Sequence, residues 1–210
     1  YLDSGIRISS NCNSDHQEFG VVGQSQSKVN IDPDSDPDTR TDVYRWDNHP
    51  NDEDGHGTHV AGIMAADKDS TGMHGLAYDA TIIPIKILTP WGNDGAVQGR
   101  YTVAWGFYNS VKFGADILNN SWGYPGTQIG VECNSKSSCQ TLFNTPYDQN
   151  YYYFSSLVTV GNVMMVWAAG NDGYDNPSVV NGACIYDTDI RENCVIVASL
   201  GTDGKIASYS

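Results

Sequence analysis

Asp54-Gly55-His56-Gly57-Thr58-His59-Val60-Ala61-Gly62-Ile63 is the stretch on which the reading of this chain turns. One histidine stands between two glycines, and a run of small and apolar residues follows. Glycines at 55 and 57 let the backbone turn sharply and let another chain come close. The run from Thr58 to Ala66 reads as a helix, with Gly62 as a close-packing point. His56 therefore falls at or just before a helix N-terminus. There the positive end of the helix dipole favours the neutral ring, the form that can accept a proton. A general base needs such a position.

A lone histidine is more often structural than catalytic, so His56 needs partners before it has a role. Two histidines on one helical face can also bind a metal. The zinc-protease pattern, however, places glutamate directly after the first histidine and separates the pair by four residues. Here glycine follows and the spacing is three. His59 reads as a packed, structural histidine.

Composition narrows the classes. The chain has 210 residues, enough for a sizeable core. Its 25 acidic residues against 11 basic ones give a formal charge of −14, the wrong balance for nucleic acid or an anionic membrane. No stretch approaches the roughly 18 apolar residues of a spanning helix, and no signal peptide is read. The abrupt start at Tyr1-Leu2-Asp3 and the end at Ile206-Ala-Ser-Tyr-Ser210 are those expected of an internal fragment. Five cysteines (12, 133, 139, 184 and 194) show no CxxC metal spacing. Cys133–Cys139 and Cys184–Cys194 suggest small disulfide loops in an oxidising compartment, although spacing alone fixes no pairing.

Along the chain, Leu2-Asp3-Ser4-Gly5-Ile6 reads as a strand end with Asp3 at its carboxyl side, where open α/β sheets build sites. An aspartate there can equally be a cap. Residues 24–54 form a polar tract centred on Asp32-Pro-Asp-Ser-Asp-Pro-Asp38. Pro37 and Val43 occupy the places where an EF-hand loop needs glycine and glutamate, so a solvated flexible loop is expected. Residues 81–88 and 163–170 read as buried strands, 116–123 and 194–200 as further strands, and 101–113 and 151–160 as helices. Segment 124–150 is loop-like. Apolar strands alternating with helices predict an α/β fold, a mostly parallel sheet with helices on both faces.

Asp3-Ser-Gly-Ile, His56-Gly-Thr-His-Val-Ala-Gly, Asn120-Ser-Trp-Gly and Ala168-Ala-Gly-Asn171 together resemble, in this order, the subtilisin-like serine proteases (subtilases). The likeness runs from Asp3 to Ser210, with insertions at 24–50 and 124–150. It implies a three-layer fold, incomplete at both ends, with residues 1–210 forming part of a catalytic domain. The Asn-Asn-Ser-Trp-Gly variant and the cysteines look like bacterial secreted or autotransporter-type members. The resemblance gives Asp3 the role of orienting the imidazole, His56 that of general base, and Asn171 that of oxyanion donor. From its residues alone, Asn171 reads as a turn residue before Asp-Gly.

Ser121-Trp122-Gly123 resembles the edge that pairs with an extended substrate, and Ala168-Ala169-Gly170 the opposite pocket wall. Small residues there suit a large apolar side chain before the scissile bond. Acidic or basic residues dominating that position in a cleaved peptide library would sink this idea. Trp122 reads equally well as core packing. Loop 67–73 aligns with a calcium loop of part of the family. Its expected oxygen ligands come from the Asp69 side chain and the main chain of Asp67, Thr71 and Met73, with Glu18 as a second carboxylate. A solvated acidic loop is the alternative, and a melting temperature unmoved by chelation would favour it. No cofactor is expected for catalysis.

The departure is the nucleophile. The family serine lies in Gly-Thr-Ser, and none occurs here; Gly201-Thr202 is followed by Asp203, and Ser210 stands in an earlier family context. The fragment alone is expected to be inactive, with the serine, and any membrane-attached domain, outside it. Three readings follow: a secreted or cell-surface endopeptidase acting on proteins and peptides, an inactive peptide-binding domain, and a calcium-dependent structural module. Asp3, His56 and Asn171 together favour the first, because a binding module needs no general base.

Overall fold

The computed structural model describes residues 2–3, 30–32, 45–47, 52, 54–70, 72–87, 106–123, 135, 137, 161–171, 173 and 184–210. They fall into two compact units, residues 1–113 and 114–210.

In the first unit, strand β1 (Leu2–Asp3) runs parallel to β4 (Ile85–Lys86), with Leu2 opposite Ile85 and Asp3 opposite Lys86. The Ile87 N–H donates to the Asp3 carbonyl at 2.8 Å and extends the pairing. On the other side of β4 lies β2 (Asn30–Asp32), also parallel, and β2 pairs antiparallel with β3 (Arg45–Asp47). The order in this unit is β3-β2-β4-β1. The polar tract at 24–54 thus contains a strand pair where a solvated loop was expected. Backbone pairing asks nothing apolar of the side chains, so hydrophobic pattern gave no signal. Its aspartate-rich centre at 33–38 lies outside the described residues.

Parallel neighbours require a crossover, and helix α1 (His56–Ala65) lies between β3 and β4 in the chain. Gly57, Ala61 and Ala65 are its buried residues, a stripe at four-residue spacing, and Val60, Met64 and Ile82 pack around Ala61. His59 lies half a turn off that stripe and is exposed, which corrects the expectation of a packed histidine. Gly62 is only half-buried, so close packing falls to the Gly57–Ala61–Ala65 stripe.

Among the described residues of the strand expected over 81–88, pairing begins at Ile85, as β4 (Ile85–Lys86). Pro84 has no N–H to give a ladder, and this accounts for the late start. Residues 106–112 are helical (α2), with Phe107, Asn109 and Ser110 buried. Phe113 N–H still bonds the Asn109 carbonyl, and Gly114 then takes φ 74°, a left-handed exit that glycine adopts freely.

In the second unit, β5 (Ile117–Asn120), β6 (Met164–Ala168) and β7 (Cys194–Val197) are parallel neighbours in that order. Burial alternates along β5 and β6. Leu118, Asn120, Met165 and Trp167 face inward, whereas Ile117 and Met164 are exposed. Each such apolar side chain contributes about 1.5–3 kcal/mol on burial. β7 is more open still, with Val195 and Val197 exposed on one face and Ile196 on the other. Cys184 and Cys194 form a disulfide across a separation of ten residues, Cα–Cα 5.7 Å, tying the turn around Asp187 to the start of β7. The Cys133–Cys139 pair and the helix expected at 151–160 lie outside the described residues.

Residues 199–210 form a small hairpin. Leu200 bridges Ile206, and the Ser199 N–H donates to the Ser210 Oγ at 2.9 Å. No helix among the described residues is long and apolar enough to cross a membrane.

Candidate active site

Asp3 ends β1 with its side chain fully buried, and His56 opens α1 with its ring about half exposed (0% and 48%). His56 Nδ1 lies 2.6 Å from Asp3 Oδ1. An ionised carboxylate can only accept, so this contact places the ring proton on Nδ1 and leaves Nε2 as the acceptor. A charge-assisted bond of this length fixes both the tautomer and the orientation of the ring. The arrangement can take up a proton at Nε2 and stabilise the resulting imidazolium through a buried carboxylate.

The backbone that carries His56 is shaped by a second aspartate. Gly55, just before α1, takes φ 97° and offers no side-chain cap. Asp52, 8% exposed, supplies it. Its Oδ1 accepts from the Asp54 N–H at 3.1 Å and the Gly55 N–H at 2.8 Å. Its Oδ2 accepts from the Thr58 N–H at 2.8 Å and the Thr58 hydroxyl at 2.6 Å. Sequence reading missed Asp52 by counting it with the solvated acidic tract. The available signal was an acid shortly before a helix start that has glycine in the capping position.

The far end of α1 is closed by the loop that follows. N–H groups of Gly75, Leu76 and Ala77 donate to the carbonyls of Ala66, Ile63 and Met64 at 2.9, 3.2 and 2.8 Å. Gly75 comes so close that a Cβ there would collide with backbone atoms of Ala65 and Ala66.

In the second unit, Ser121-Trp122-Gly123 and Ala168-Ala169-Gly170 leave the carboxyl ends of adjacent strands, since Asn120 lies opposite Trp167 in the register. In open α/β sheets these ends are where ligands bind. Trp122 is half-buried and meets the buried Trp167 edge-on, ring centroids 5.3 Å apart. Asn171 is an exposed bend residue after Gly170, which takes φ 117°. Asp3 and His56 belong to the first unit, and Asn171 and the two strand-end segments to the second.

Of the expected calcium ligands, Asp67 is half-buried and Asp69 and Met73 are exposed, while Thr71 and Glu18 lie outside the described residues. Among the described residues no group of three or more His, Cys, Asp or Glu could hold a metal ion. The Ser210 hydroxyl accepts the Ser199 N–H within its hairpin.

Parallel strands with intervening helices, and a strand-end carboxylate bonded to a helix-start imidazole, define an α/β protein with a carboxylate–imidazole pair at a strand end. The chain belongs to the subtilase family, whose sequence profile matches residues 2–210. It is 30% identical over 209 residues to the minor extracellular protease Epr of Bacillus subtilis (strain 168), covering 100% of this chain and 24% of that protein. It is 48% identical over 68 residues to an extracellular serine protease of Serratia marcescens, covering 32% of this chain and 6% of that protein. Among solved structures, MycP1 with its N-terminal propeptide removed superposes with a TM-score of 0.60 at 19% identity, over 100% of this chain and 58% of that one. The chain thus spans about a quarter of the length of the Bacillus protease it matches throughout.

Proposed function

We propose that the protein is a secreted or cell-surface serine endopeptidase, and that these residues carry the acid–base half of its catalytic site. The observation that carries this reading is the 2.6 Å contact between buried Asp3 and half-exposed His56. Nε2 of His56 takes the proton of a serine hydroxyl as the oxygen attacks the peptide carbonyl. Asp3 stabilises the imidazolium, which then protonates the leaving amine. The serine comes from outside these 210 residues, which contain no Gly-Thr-Ser.

The Asn171 side-chain amide donates to the tetrahedral oxyanion, a contact worth about 10²–10³ in kcat, a figure obtained with a subtilisin. Extended peptide pairs with the Ser121–Gly123 edge, and its side chain before the scissile bond faces Ala168–Gly170. The names of the matched extracellular proteases support export. Calcium, where held, would be bound through the oxygens of Asp67, Asp69, Thr71, Met73 and Glu18. These are hard ligands of the kind the ion takes, and its part would be to brace the loop after α1.

The test is fluorophosphonate labelling of the full-length protein. Stoichiometric labelling that disappears in His56→Ala is expected. A folded wild-type protein that takes no label yet binds peptides would replace this reading with that of an inactive binding domain.

A further inference from the structure

We propose that Asp52 is a positioning residue for His56, acting through the backbone while Asp3 acts on the ring; its kinetic part rests on the endopeptidase reading. Gly55-His56-Gly57 is the most permissive kind of backbone, so nothing within it fixes where the imidazole points. Asp52 fixes it from outside. One carboxylate oxygen holds the two N–H groups just before His56, and the other holds Thr58 by both N–H and hydroxyl. The carboxylate is buried and grips the chain on both sides of the histidine. His56 adds a contact of its own, its N–H donating to Asp54 Oδ1 at 3.2 Å.

A plain helix cap would contribute about 1 kcal/mol to stability and leave the reaction alone. Asp52 does more, because a 2.6 Å contact between Asp3 and His56 tolerates little displacement of the His56 backbone. Misplacement of a reacting group by about 1 Å can cost about 10²-fold. Asparagine cannot replace this carboxylate. Either way round, its amide NH₂ faces N–H or O–H donors on one side.

The experiment compares wild type, Asp52→Asn and Asp3→Asn in the full-length protein. It reads the ¹⁵N-histidine-labelled Nδ1–H resonance of His56, which a short charge-assisted bond moves far downfield, together with kcat and KM on a peptide. Asp3→Asn removes the resonance and so assigns it. Folded Asp52→Asn is expected to lose or broaden the resonance and to lower kcat by about 10–100-fold with KM within about twofold. An unchanged resonance in folded Asp52→Asn overturns the proposal whatever the rate, and so does an unchanged kcat in an active protein. If Asp52→Asn does not fold, Thr58→Val removes one of the four donors while keeping the side-chain shape, and is read against the same outcomes. A wild type that cleaves nothing sinks the endopeptidase reading, while the resonance still decides whether Asp52 positions the ring.

Discussion

At its N-terminal end helix α1 is tied down by a side chain, the buried carboxylate of Asp52 on the N–H groups of residues 54, 55 and 58. At its C-terminal end it is tied by backbone alone, the N–H groups of residues 75–77 on the last-turn carbonyls. The difference follows from what each end must provide. A helix start exposes N–H groups, which an aspartate can collect from a distance while glycines leave room around the histidine. A helix end exposes carbonyls, which a returning chain can collect with any residue that has an N–H. Leu76 illustrates this, since it donates to Ile63 although the residue is 94% exposed. The first end depends on which side chain is present, the second on how closely two backbones approach.

This comparison can be broken at one glycine on each side. Gly75→Ala carries the larger expected effect, because its Cβ meets main-chain atoms that cannot swing away. We expect a loss of about 3 kcal/mol, the upper end of what overpacking costs, measured by urea denaturation of the full-length protein. Stability within experimental error of wild type would show that the two backbones are not in contact. Gly55→Ala meets nothing within 4 Å, so only its φ of 97° opposes the change. A smaller loss of about 1–2 kcal/mol is expected in the same denaturation experiment. A loss larger than that of Gly75→Ala would reverse the ranking of the two ends.

Much of the first unit's site was legible because its residues sit in motifs with strong local constraints. Asp3 ends an apolar strand before Ser-Gly, and His56 opens a helix between two glycines. The structure places His56 Nδ1 2.6 Å from Asp3 Oδ1. Spacing suggested a small Cys184–Cys194 loop without fixing the pairing, and the structure forms that bridge. Asp52 was missed because its one local signal, an acid shortly before a helix start with glycine at the cap, is shared by Glu53 and Asp54 beside it. β2 and β3 were hidden for a related reason, their pairing being backbone pairing within a polar tract. His59 was misplaced because burial on α1 follows the narrow stripe of Gly57, Ala61 and Ala65, which the sequence shows only once the helix phase is known.

The most direct test of the central claim is the kcat/KM of Asp3→Asn against wild type in the full-length protein, on a peptide substrate, with folding checked by circular dichroism. A carboxamide fills the same space but presents an NH₂ as readily as a carbonyl. It therefore no longer fixes the Nδ1–H tautomer or balances an imidazolium. The account predicts a folded protein whose kcat/KM falls by about 10⁴. A folded Asp3→Asn that cleaves peptide within a few-fold of wild type would contradict it, because the 2.6 Å contact would then be a structural bond and not part of the reaction.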